Sequence, residues 1–428
     1  MQHVIRKQLI SLQLAAEQDA FTIQQRAKDY FYDQIAPALE KVLDELSSPG
    51  EMISIDRIEI DLGNLVWKNE KLIADSDDIY RLLKQSFSDR LLAEDSVKTN
   101  KAGNRVIRSI EEHACVQWLY YMENGVLPWA LHHTHSAWLE QVLHQLAIDH
   151  ALVEKTKDKI RHHRRFLSRV VRDHEEKYLQ QLAEVITAKP QRGLIEAIDA
   201  IVRQTVLQPK EYHRSKHTLW AEALLQFAEG KTTWQPEETS LRLPDTGKQA
   251  DSTENSPPLL QEGIFCSFAG VVLLHPFFKH LFRHLALLEN GLFVDDAAKA
   301  KAVMVIYYAA TGNTDAKDHE LVVAKTLCGV PLNEVLDEGA YQLTELEKQE
   351  TQNMIQAAIE QWPILHNTSV EGLQEGFLRR EGKLIQEQNN ISFRIETSGI
   401  DVLLDQLTWN LSIIKFPWLN QLIRVEWR

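Results

Sequence analysis

Strand-like patterning in this chain is confined to its two ends, while the stretches between carry the three- and four-residue spacing of helices. Near the start, "HVIRKQLISLQL" at 3–14 is rich in β-branched and long residues and predicts a strand. Phe21, Ile23, Ala27, Tyr30, Phe31, Ile35, Leu39, Val42, Leu43 and Leu46 then mark an amphipathic helix, bent at Pro37 and stopped by "SSPGE" at 47–51. In "MISIDRIEIDLG", Ile53 and Ile55 alternate, then Ile58, Ile60 and Leu62. The change of parity at Asp56-Arg57 predicts a bulge, and Gly63 ends the strand. At the far end, "ISFRIE" at 391–396 and "LIRVEW" at 422–427 predict further strands. The expected fold is mainly α with a small β-sheet (α+β). Its N-terminal strand-helix-strand pairs with the C-terminal strands around a large helical middle.

The middle is broken often. "WLYYMENGVLPWAL" ends one helix at Asn124-Gly125 and starts another segment at Pro128. "SAWLEQVLHQLAI" predicts a short helix burying Trp138, Val142, Leu143 and Leu146. Ile160, Leu167, Val170, Val171 and Tyr178 predict one long helix over 152–187. Residues 231–262 combine four prolines with Ser, Thr, Asp and Glu, a composition too poor in apolar surface to offset ordering entropy. They are expected to form a disordered linker. Beyond it, Pro276 opens a helix with a stripe of Phe277, Phe278, Leu281, Phe282, Leu285 and Leu288. Further helices are expected over 296–310, 318–328 and 343–362. The predicted organisation is therefore a module at 1–95, a helical region at 104–230, the linker at 231–262 and a C-terminal helical domain ending in strands at 263–428.

Composition narrows the function. Forty-seven basic residues against 61 acidic ones give a net charge of −14, which on average repels nucleic acid and anionic membranes. Three scattered cysteines make neither a disulfide framework nor a zinc ribbon and suggest a reducing compartment. The N-terminus lacks a secretory pattern, and apolar runs such as "AVMVIYYAA" at 302–310 are about half a membrane span. A soluble protein, cytoplasmic at assembly, is expected.

Candidate chemistry is sparse. Gly-rich phosphate cradles and a GxSxG elbow are absent, and no nucleophile, base and orienting group come together, so the expected protein is not an enzyme. The clusters His132, His133, His135 and His162, His163 lack metal spacing; His280 and His284 have it, but "HLFRH" lacks the zinc-hydrolase glutamate. No cofactor, metal or small-molecule ligand is expected. Two sets of charges remain as candidate interaction surfaces. Lys157, Arg161, Arg165 and Arg169 form an i, i+4 stripe suited to an acidic protein surface or, as an alternative, to nucleic acid. Asp56, Glu59 and Asp61 alternate along the wet face of their strand and could form a charged edge for a partner.

The tail, "LLDQLTWNLSIIKFPWLNQLIRVEW", is unusually apolar for a chain end. Trp409 and Trp427 are expected to anchor the protein's own core, with Trp418 a candidate partner contact. Together with "IDRIEIDLGNL" at 55–65, "LYYMENGVLPW" at 119–129, "GVVLLHPFFKHLF" at 270–282 and "HELVVAKTLCGVPL" at 319–332, this ordered set resembles the tape measure proteins of contractile injection systems of the antifeeding-prophage type. Within the motifs, Gly63, Pro128, Trp129, His275, Pro276, Cys328, Gly329, Trp409, Pro417, Trp418 and Trp427 match the family pattern, as do Asp56, Glu59 and Asp61. The resemblance implies a structural assembly protein of a phage-tail-like particle, with inner tube, spike or baseplate proteins as partners and no catalytic residues. A compact baseplate adaptor or initiator that does not measure length is the alternative within that class.

Overall fold

The computed structural model describes residues 27–47, 51–54, 60–61, 66–68, 71–73, 76–93, 106–127, 136–205, 209–236, 263–336, 342–365, 367–387 and 390–427. The chain divides into two compact units, residues 1–114 and 115–428.

In the first unit, a π-helical turn at Phe31–Ile35 leads into α1, Ala36–Leu46. Pro37 occupies the first turn of α1, where its missing N–H leaves no helical bond unmade. The irregularity expected at that proline is thus a widened turn immediately before it. α1 packs on α2, Ser76–Ala93, through Val42, Ile79 and Leu83. Four short strands form two antiparallel pairs: β1, Glu51–Ser54, with β4, Val106–Ser109, and β2, Val66–Lys68, with β3, Lys71–Ile73. The strand expected at 3–14 and the bulge at Asp56-Arg57 lie outside the described residues.

The second unit takes in most of α3, Ile110–Asn124, and then a bundle of six helices. These are α4 (Ser136–Ile148), α5 (His150–His162), α6 (Arg164–Asp173), α7 (Glu176–Thr187), α8 (Leu194–Thr205) and α9 (Pro209–Ala228). α4 buries Trp138, Val142 and Leu146 as its spacing predicts. The single helix expected over 152–187 is corrected to three, α5, α6 and α7. Five consecutive polar residues, Arg161 to Arg165, interrupt the apolar stripe, and His163 leaves the helix at φ −120°, ψ 93°. His174 is extended at φ −124°, ψ 148°, its ring captured by tertiary hydrogen bonds.

The rest of this unit is built on a five-stranded mixed sheet of order β10-β11-β9-β8-β5. Its strands are β5 (Ile264–Cys266), β8 (Gly382–Glu387), β9 (Asn390–Ile395), β10 (Ile413–Ile414) and β11 (Ile423–Glu426). β11 runs parallel to β9, with Val425 opposite Phe393; the other pairings are antiparallel. The sheet expected to unite the two chain ends is therefore corrected. Among the described residues the C-terminal strands complete their sheet with β5 and β8, while β1 pairs with β4 in the first unit.

Around the sheet lie α10 (His275–His284), α11 (Asp296–Thr311), α12 (Val322–Cys328) and α13 (Glu345–Glu360). Pro276 stands in the first turn of α10, which buries Phe278, Leu281 and Phe282. The helix stops earlier than its stripe suggests. Ala286, at φ 56°, turns the chain into a hairpin of β6 (Leu288–Glu289) and β7 (Leu292–Phe293), so Leu288 meets the core from a strand. α11 is buried from Ala302 to Thr311 and is the centre of the core. Before α10, a 3-10 turn at Ala269–Leu274 passes so close to the chain at Phe377 that a Cβ on Gly270 would sit 1.8 Å from the Phe377 carbonyl oxygen. Only glycine fits there.

Candidate functional site

The cationic stripe expected along residues 157–169 does not exist as one face. Lys157 and Arg161 sit on α5, with Lys157 paired to Glu154 at 2.9 Å. Arg165 begins α6 and pairs with Glu334 at 2.7 Å. Arg169 turns inward and is fully buried. That correction follows from the helix break at His163: α6 restarts with a new azimuth, and its Arg169 and Arg172 face the same interior as Phe166 and Val170.

There they meet a carboxylate delivered by the other half of the unit. Asp318, at the start of the 3-10 turn before α12, accepts from Arg169 Nε at 2.7 Å, Arg172 Nη2 at 3.1 Å and Lys325 Nζ at 2.6 Å. Asp318 and Lys325 lie seven residues apart, two turns along one face, which brings them together. Arg172 Nε donates to Asp173 Oδ1 at 3.4 Å, and the other bonds reach main-chain carbonyls. Arg169 donates to Met122 O at 2.6 Å and Asn333 O at 2.7 Å, and Arg172 to Leu336 O at 3.4 Å. Lys325 donates to Leu332 O at 3.2 Å and Glu334 O at 2.7 Å. The loop after α12 is thus held by its carbonyls. A second layer runs through Asp173, which accepts from the Tyr121 hydroxyl and from the backbone N–H of Asp318 at 3.3 Å. Since Tyr121 donates to Asp173, its oxygen accepts from His319 Nδ1–H at 2.9 Å.

Burial pushes the Asp318 carboxyl up, but Lys325, Arg172 and Arg169 outweigh it and hold the group below the usual carboxylate range. Burial lowers the Lys325 ammonium, which shares its one carboxylate with two guanidiniums. Its three acceptors are nonetheless arranged for the charged form, and that is the state this geometry holds. Gly125 completes the site. At φ +73°, it leaves room where a Cβ would lie 2.5 Å from Asp318 Oδ2 and 2.9 Å from Arg169 Nη2.

Beside this cluster, Trp118 Nε1–H donates to His174 Nε2 at 3.0 Å, and His174 Nδ1–H donates to Val170 O at 2.8 Å. Although the residue keeps some surface, its ring stacks on Tyr178 at 4.4 Å and both nitrogens are engaged. Burial lowers its pKa from 6.5 to about 4. An imidazole depressed in the folded state binds its proton first in the unfolded chain. Stability from this group is therefore complete above pH 6.5 and is lost as pH falls towards 4, by about 3 kcal/mol in total. Denaturant midpoints measured from pH 7.5 to 4 are expected to fall more steeply for the natural chain than for His174→Gln, and equal slopes would refute the assignment.

The other sequence-predicted residues are scattered. Asp61 is exposed, while Asp56, Glu59, Gly63, Pro128, Trp129 and the histidines at 132, 133 and 135 lie outside the described residues. His275 is half-buried and donates to Val272 O at 3.1 Å, and burial lowers its pKa. Cys328 is the last residue of α12 and Gly329 caps that helix at φ 69°. All three cysteines are buried. Trp427 is buried. Trp409 Nε1–H donates to Leu273 O and Trp418 Nε1–H to Leu327 O, each at 2.9 Å. Trp418 stacks on Phe416 at 4.5 Å and meets Phe282 in the protein's own core; Pro417 is exposed beside the β6–β7 turn. Among the described residues, no helix is long and apolar enough to cross a membrane.

Sequence reasoning assigned no role to Asp318 or Lys325. A signal was present: Lys325 is the single charge within "LVVAKTLCGV", where an unpaired lysine could not be buried. No curated protein and no solved structure matched the chain. A family model described as contractile injection system tape measure protein matches residues 2–246 and 226–427. With both segments together spanning nearly its whole length, the chain belongs to the contractile injection system tape measure proteins.

Proposed function

We propose that this protein governs assembly of the inner tube of a contractile injection particle, setting tube length while engaging spike or baseplate components in the cytoplasm of the producing cell. The observation that carries this reading is the family match over residues 2–246 and 226–427. Deleting the chain is expected to abolish tubes or free their length from control. Adding or removing residues in the stretch 231–262 and the helical middle is expected to shift tube length, as measured by electron microscopy of assembled particles.

A second reading, a compact initiator at the baseplate end, is favoured by a different observation. As one continuous helix, 428 residues would span roughly 640 Å. The bundle's longest helix, α9, has 20 residues and so covers only about 30 Å. Stringing the unit out would also expose a core centred on α11 and a fully buried ion cluster. Unchanged tube length in particles that still assemble would discard measurement and leave the initiator.

A further inference from the structure

The bundle α4–α9 and the body on the five-stranded sheet meet without a common apolar core. Among the described residues, no side chain of α4–α9 belongs to the core that holds α10–α13 and the sheet. The members of that core that precede β5 are Tyr120 and Val126, from α3 and the turn after it. What crosses instead is charge: Arg165 to Glu334, Arg169 and Arg172 to Asp318 and the carbonyls of residues 333 and 336, and Asp173 to the N–H of Asp318.

We propose that this polar seam is a parting line, along which the bundle swings away from the sheet body while each keeps its own fold. The physical asymmetry is clear. Separating two apolar faces leaves both in water uncompensated, whereas separating buried ions returns them to hydration that offsets much of their attraction. α3 stays with the bundle, because Trp118 packs on Phe166 at 5.8 Å and is bonded to His174. Parting therefore uncovers Tyr120 and Val126, together with the Tyr121 ring that meets His319. Arg169, Arg172 and Lys325, each engaged through every side-chain nitrogen when closed, find water on opening, so none is left buried without a partner.

Hydrogen exchange of the full-length chain, followed by mass spectrometry, tests this. In Asp318→Ala, amides of residues 164–173 and 318–336 are expected to exchange at least tenfold faster than in the natural chain. Those inside α9 and α11 should keep their protection. Asp318→Asn, which preserves shape, should give the same pattern at smaller amplitude. Arg165→Ala, removing an exposed pair, should change neither region. The proposal is overturned if the seam stays protected in Asp318→Ala, or if α9 and α11 lose protection together with it. Failure of both Asp318 variants to fold would also overturn it, since the bodies would then not stand without the seam.

Discussion

Replacing Asp318 with alanine is expected to lower the first unfolding transition of the chain by about 3–5 kcal/mol, the usual consequence of removing one partner from a buried ion pair. Three cations depend on this carboxylate, and Arg169 and Lys325 have almost no exposed side-chain surface. Without it they must hold like charge at close range in the interior, or the seam must open to water. The second route limits the loss to the free energy of the seam itself. Asp318→Asn keeps one acceptor oxygen of the two used here but turns the other position into an NH2 donor and removes the charge, so it should fall between the natural chain and Asp318→Ala. Denaturant titration followed by tryptophan fluorescence makes the measurement, since Trp118 packs on α6. A loss below about 1 kcal/mol, typical of an exposed pair, would contradict the role assigned to Asp318.

Gly270→Ala is expected to be costlier still, above about 4 kcal/mol, because neither side of the contact can move cheaply. The added Cβ would meet the Phe377 carbonyl oxygen at 1.8 Å and the Phe377 carbonyl carbon at 2.9 Å. Both are backbone, in the π-helical turn Gln374–Leu378, and both turns are pinned by buried neighbours from Val271 to Leu274 and at Leu378. The expected result is a chain whose sheet body no longer unfolds cooperatively. Gly399→Ala is the control, since a Cβ there meets nothing within 4 Å. Equal thermal midpoints for the two variants would refute the argument.

What the sequence disclosed followed the physics of each signal. α10 was legible because Pro276 and the Phe278, Leu281, Phe282 spacing agree. α11 was legible from a continuous apolar run of helical length. β9 and β11 stood out through alternation, whereas β5, three buried residues long, carries too few positions to show a period. β8 escaped notice because "GKLIQE" places two apolar residues side by side. The ion cluster was hidden for a deeper reason. Arg169 shares its i, i+4 spacing with exposed residues, and spacing alone cannot tell which face a helix turns inward once the chain has broken at His163. The partner that decides the matter lies 149 residues further along.

The strand order carries one more consequence, for synthesis. β11 lies between β10 and β9 rather than at a rim, so the sheet has a gap in its interior until residues 423–426 are available. A nascent chain arrested before that point can form the bundle but cannot close the body on which α11 packs. Productive folding of that body is thus timed to the release of those residues from the ribosome. A product terminated before residue 423 would expose the β9 edge and leave Phe393 without Val425 opposite it, an open edge on which another chain can pair.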